Sequence, residues 1–159
     1  MHQHGVGTSA KSNQIQNWKG PAPGAFKINV DTAVPVNDNY FSTGHVSTFE
    51  AEVRGVYKTL SWIDNLDLSN IQIETDSMLT VVAVESLEVN YLEVGNLIEA
   101  CKIWLQERND VCLVHVRRQV NKAAHLLAHS SCLQSCSSLF LSPPTPNFLL
   151  ETLFSDSTG

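Results

Sequence analysis

The sequence predicts an α/β domain, a sheet flanked by helices. Two stretches carry that reading. In Phe26–Asp31 and in Ile71–Asp76, apolar and polar residues alternate, the period-2 pattern of half-buried strands. A third observation is the order of the remaining segments, which reads strand, helix, strand, helix, helix, strand, helix. Consecutive βαβ units imply right-handed crossovers and neighbouring parallel strands. Both alternating strands end on a carboxylate, Asp31 and Asp76. In open α/β sheets the carboxyl ends of strands are where sites are built.

Bulk composition bounds the function. The 159 residues suit one domain with a tail, and a hydrophobic content of 43% can fill a core. The expected division is a disordered segment 1–17, a folded domain 18–140 and a tail 141–159. A net charge of −6 means that nucleic-acid binding would need a local basic patch. There is no apolar run of roughly 18 residues, so no membrane partner is expected. The polar stretch from Met1 to Asn17 lacks the apolar centre of a signal peptide. Cys101, Cys112, Cys132 and Cys136 form no C-x-x-C pair, which suits reduced thiols and an intracellular protein; a monomer is expected.

The elements follow in order. Pro21, Pro23 and Gly24 precede the first strand and delimit it. Trp18 belongs to this lead-in and is expected near the strand. Thr32 to Gly44 is loop-like, with room for one short strand around Tyr40 to Ser42. Ser47-Thr48-Phe49-Glu50 has the form of a capping box, opening a helix to about Asn65. Phe49, Val53, Val56, Leu60 and Ile63 form its apolar stripe, with Glu52 at the margin. Such a Glu is ordinarily a solvated helix-surface residue. After the second strand, Ser77 caps a short helix from Met78 to about Ser86. A longer helix is expected from about Asn90 to Arg108, with Leu97, Cys101, Trp104 and Leu105 inward. Val111 to Val116 is the third strand, and Asn121 to about Cys136 the last helix. Ser142-Pro143-Pro144 ends any helix, and Phe148 to Phe154 is a short apolar segment.

This order brings Asp31 and Asp76 to one sheet edge, on adjacent strands, with the Glu52 helix as the crossover between them. Three converging carboxylates repel one another unless a cation neutralises them. Mg²⁺ favours oxygen ligands, and two such ions can clamp both oxygens of an in-line phosphoryl displacement. The pattern points to metal-dependent phosphodiester chemistry. The alternative from pattern alone is a structural sheet with incidental acids.

Four stretches carry a resemblance. They are Lys27-Ile28-Asn29-Val30-Asp31-Thr32-Ala33, Glu50-Ala51-Glu52-Val53, Ile73-Glu74-Thr75-Asp76-Ser77, and the run from His115 to Ala128 containing Arg117-Arg118-Gln119-Val120-Asn121-Lys122 and His125. In this order they resemble the marks of the RNase H type-1 domain, and most of all its plant, retroelement-related branch. The resemblance covers roughly residues 18 to 155. It implies an RNase H-like mixed sheet and an enzyme that cuts the RNA strand of an RNA–DNA hybrid with Mg²⁺, Mn²⁺ being an alternative. By position, Asp31, Glu52 and Asp76 match metal-holding carboxylates, and the family's fourth catalytic acid falls on His125. An imidazole can ligate a metal or shuttle a proton, or it can be an ordinary helix-surface His. The family also places a hairpin of two strands between Asp31 and Glu52. The 20 residues from 32 to 51 are too few for two strands of about five or six residues plus turns, so most of that hairpin is expected to be missing. The first strand would then lie near an open edge.

Arg117, Arg118 and Lys122 place three positive charges within six residues just before the last helix. They are candidate nucleic-acid-binding residues that would hold phosphates, or simply a solvated basic turn. His125, His129, Cys132 and Cys136 share a helix face. They span about 16 Å along the axis, too far for one zinc ion to meet all four. The leading expectation is hydrolysis of RNA in RNA–DNA hybrids. The alternative is a non-catalytic nucleic-acid-binding or interaction remnant of the same fold.

Overall fold

The structure, a computed structural model, describes residues 18–34, 47–87 and 94–134. Among these residues three strands, β1 (Phe26–Val30), β2 (Ile71–Thr75) and β3 (Val111–His115), form a sheet in the order β1-β2-β3. Both pairings are parallel, with Val30 opposite Thr75 and Thr75 opposite His115. Among the described residues four helices accompany the sheet: α1 (Thr48–Asn65), α2 (Met78–Glu85), α3 (Gly95–Glu107) and α4 (Lys122–Gln134). The element order is the expected one, and the parallel pairings follow from its βαβ units.

Local chemistry explains the boundaries. The Ser47 side chain accepts a hydrogen bond from the Glu50 amide at 3.1 Å and starts α1. The reciprocal half of the capping box does not form. Glu50 instead takes two bonds from Arg54 one turn on, at 2.9 and 2.7 Å, a charge-assisted pair that outcompetes a neutral amide donor. Ser77 caps α2 in the same way as Ser47 caps α1. Asp67 and Asn70 turn the chain from α1 into β2 with φ of 50° and 55°, a backbone region in which Asn and Asp are enriched.

The α1 stripe enters the core as expected: Val53, Val56, Leu60 and Ile63 are buried, and Phe49 packs at its edge. They meet Ile71 and Ile73 of β2, Leu113 of β3, and Ile98 and Cys101 of α3. Burial pushes the Cys101 thiol up to about 11, so it packs as a small apolar group. Ile73 lies at the centre of this core with no exposed surface. Ile73→Ala is expected to destabilise the fold by about 2–5 kcal/mol, read from urea denaturation.

The sheet is covered on its other side as well. The α4 helix lies against β1. Glu74, whose side chain points away from Ile73, is buried. It accepts hydrogen bonds from Trp18, Lys27, Asn29 and Gln72 at 2.7–3.1 Å. Trp18 thus docks onto the sheet beside β1. Phe26, expected on the apolar face, is half-exposed, because it opens a strand with one paired neighbour among the described residues.

Residues 35–46, where the shortened hairpin and any strand around Tyr40 to Ser42 are expected, lie outside the described residues. So do residues 1–17, 88–93 and 135–159, including the expected disordered segment and the tail. Among the described residues, no helix is long and apolar enough to cross a membrane.

Candidate functional site

Parallel register builds the site. Because Val30 and Thr75 are paired at the ends of adjacent parallel strands, Asp31 and Asp76 leave the sheet at the same edge. The second turn of α1 supplies Glu52. One ligand oxygen from each of Asp31, Glu52 and Asp76 lies within 4.8 Å of the others. The Asp31 and Asp76 side chains are mostly covered, at 6% and 15% exposure.

Glu52 is not the solvated helix Glu that its residue type suggests. It is 95% buried, with a relative exposure of 5%. Its Oε1 accepts a hydrogen bond from the Thr32 hydroxyl at 2.8 Å, whereas Oε2 is buried with no hydrogen-bond partner. Burial pushes the carboxyl up to about 7, reinforced by the charges of Asp31 and Asp76 and opposed by the Thr32 bond. A buried carboxylate oxygen without a donor is costly, and a cation would satisfy it. Three carboxylates are hard oxygen donors, suited to Mg²⁺ or Mn²⁺ rather than to softer metals. The residues present therefore fit a divalent ion, held by Asp31, Glu52 and Asp76.

His125, in the first turn of α4, completes one side of the cluster. Its Nδ1 lies 2.7 Å from Asp31 Oδ2. Arg118 reaches over the same ring, with Nη2 3.0 Å from His125 Nε2, and its Nε lies 3.8 Å from Asp76 Oδ2. The Arg118 guanidinium lies over the ring face, since its Nη2 is also 3.2 Å from His125 Nδ1. The Asp31 carboxylate only accepts, so in the neutral ring Nδ1–H donates to Asp31, a tautomer assigned from that partner. Arg118 thus joins the acidic cluster. Arg117 is exposed in the turn that leads into α4, and Lys122 is exposed at the first position of α4. The shared helix face of His125 and His129 produces an edge-on ring contact at 4.5 Å. Among the described residues, the Asp31–Glu52–Asp76 group is where three metal-ligating side chains converge.

Four supporting residues escape the sequence patterns: Thr32, Asn121, Asn29 and Glu74. Thr32 bonds two of the carboxylates, through its own amide to Asp31 Oδ1 at 2.8 Å and through its hydroxyl to Glu52. Asn121, fully buried, donates to the Val30 carbonyl at 2.9 Å and accepts from Asn29 at 3.1 Å. Asn29 continues to Glu74. This chain of amides pins the last residue of β1 to the start of α4, which brings His125 to Asp31. Thr32 was open to detection by its position directly after a strand-terminal Asp. Asn121 and Glu74 act through contacts 91 and 45 residues away in sequence, beyond the reach of local pattern.

A family model described as reverse transcriptase-like matches residues 36–131. The chain belongs to this reverse transcriptase-like family. The matched span contains Glu52, Asp76 and His125 and begins after Asp31. Among solved structures, the chain is similar to RNase H1 from the halophilic archaeon Halobacterium salinarum NRC-1. The sequence identity is 20% and the TM-score 0.50, over 59% of this chain and 71% of that one. That likeness shows the fold of this family member to be RNase H-like. No curated protein matches the chain.

Proposed function

We propose that this chain is a divalent-metal-dependent nuclease that hydrolyses the RNA strand of RNA–DNA hybrids. The observation that carries the reading is the orphaned, buried Glu52 Oε2 within a three-carboxylate cluster at the carboxyl edge of an RNase H-like sheet. In this reading Asp31, Glu52 and Asp76 hold Mg²⁺, with Mn²⁺ as a substitute. When bound, the metal supplies charge neutralisation at a scissile phosphate and activation of a water. The protein's own residues do the rest. Thr32 and the β1–β2 register hold the carboxylates at close range without a rearrangement on binding. Arg118, released from His125 and Asp76, meets a phosphate oxygen, and Arg117 and Lys122 extend that positive surface along the backbone. His125 Nε2, once freed from Arg118, accepts or returns a proton at the site edge. The functional unit spans residues 18–140, in a monomeric intracellular protein of the plant, retroelement-related branch.

A second reading, a non-catalytic nucleic-acid-binding remnant, is favoured by one feature. His125 and Arg118 already occupy Asp31 and Asp76, and an imidazole replaces the fourth acid of the resembled family. Hybrid cleavage by the unmutated chain, with Mg²⁺ or Mn²⁺ and with chelator, separates the two. The nuclease reading predicts metal-dependent scission of the RNA strand. A folded sample that binds hybrid and never cuts it is the remnant.

Both readings place phosphates on the basic turn, so binding weakens with salt. Replacing Arg117 and Lys122 together by Ala is expected to lower the slope of log affinity against log salt by roughly 2. A salt titration of hybrid binding under chelator measures it, and an unchanged slope removes both residues from the interface.

A further inference from the structure

We propose that Thr32 is a positioning residue of the acidic cluster, with Gly55 keeping open the space it needs. The inference rests on the metal-site reading above. Thr32 is the one residue that bonds two of the three carboxylates among the described residues. Its amide donates to Asp31 Oδ1 and its hydroxyl to Glu52 Oε1, each at 2.8 Å. A carboxylate only accepts, so the hydroxyl proton points at Glu52. One oxygen of each carboxylate is thereby committed. Asp31 Oδ2 is left to His125, and Glu52 Oε2 is left buried and without a partner. This pair of hydrogen bonds therefore leaves Glu52 Oε2 for a cation and holds the Glu52 carboxylate in one orientation.

The backbone of α1 approaches Thr32 closely, and Gly55 makes this possible. A Cβ at Gly55 would lie 2.8 Å from Thr32 Cγ2 and 3.3 Å from Val30 Cγ1. The first distance is shorter than real contacts allow, so a side chain there displaces the Thr32 methyl and with it the hydroxyl. Gly55 lies one turn after Glu52 on the same helix, so the small residue and the carboxylate address the same threonine.

The two residues yield a coupled test that needs no substrate. Mn²⁺ alone is titrated into the full chain at pH 8, and free Mn²⁺ is read by electron paramagnetic resonance. Circular dichroism checks that each variant is folded. Thr32→Val keeps the shape and removes the hydroxyl, and is expected to weaken Mn²⁺ binding about ten-fold, the loss of one charge-assisted hydrogen bond. Thr32→Ser restores the hydroxyl and recovers most of that affinity. Gly55→Ala weakens binding like Thr32→Val. The double variant Thr32→Ser with Gly55→Ala regains affinity, because serine lacks the methyl that clashes, a non-additivity specific to this contact. If Thr32→Val binds Mn²⁺ as the unmutated chain does while Asp76→Asn binds weakly, the Thr32 role is overturned and the metal site stands. If Asp76→Asn also binds undiminished, the site reading falls and the Thr32 role with it. Should Thr32→Val fail to fold, Gly55→Ala against the double variant decides, and equal weakening in both overturns the proposal.

Discussion

Replacing Asp76 by Asn is expected to leave the chain folded and to reduce metal-dependent cleavage of an RNA–DNA hybrid by at least about a hundred-fold. The two halves of that result have one cause. Asp76 follows β2 directly and contributes to a cluster whose ligand oxygens lie within 4.8 Å of one another. Without a cation the cluster is a site of mutual repulsion, so removing one charge relieves the fold. With a cation the same charge is a ligand, and an amide oxygen is a weaker one. Arg118 loses a distant partner, at 3.8 Å, and a pair at that distance with a solvent-exposed arginine contributes little to stability. The measurement pairs a thermal melt with single-turnover cleavage in Mg²⁺. Undiminished cleavage by Asp76→Asn removes this residue from the site.

Glu52 makes the second large prediction, a pH dependence. Its carboxyl is pushed up to about 7 from an ordinary 4.5, chiefly by burial. The folded state therefore holds this proton to a higher pH than the unfolded state. Stability from this group is complete below about pH 4.5, falls as pH rises, and is lost above about pH 7. The difference corresponds to about 3 kcal/mol. Glu52→Gln keeps the shape without the charge, so at pH 8 and without metal it is expected to be more stable than the unmutated chain by about 1–3 kcal/mol. Saturating Mn²⁺ should reverse the order, because a ligand that binds only the folded state stabilises it by mass action. Urea denaturation at pH 5 and pH 8, with and without Mn²⁺, checks the four values. A Glu52→Gln variant less stable at pH 8 without metal contradicts the picture of an uncompensated buried charge.

Where local chemistry decides the structure, the sequence is readable. Ser47 and Ser77 cap their helices at the expected positions. The alternation in Phe26–Asp31 and Ile71–Asp76 yields strands one residue shorter, each followed directly by its Asp. The convergence of Asp31, Glu52 and Asp76 follows from element order alone, because parallel strands joined by a helix bring their ends together. What escapes the pattern depends on distant partners. Glu74 occupies the polar side of an alternating strand, yet it is buried because Trp18, Lys27, Asn29 and Gln72 close over it. Glu52 stands at the edge of an apolar stripe, and periodicity cannot say that Thr32 will close over that edge. The meeting of Arg118 with His125 is likewise set by the path of the turn before α4 rather than by either residue's propensity.

In the proposed function Asp31, Glu52 and Asp76 form one divalent-cation site. Paramagnetic broadening by Mn²⁺ in the NMR spectrum of the unmutated chain at pH 8 tests it most directly. The account predicts saturable broadening centred on the amides of Asp31, Thr32, Glu52 and Asp76, with Asp64 and Asp110 at the far end of the sheet unaffected. Broadening spread evenly over the surface acids, or none at those four residues, would contradict it.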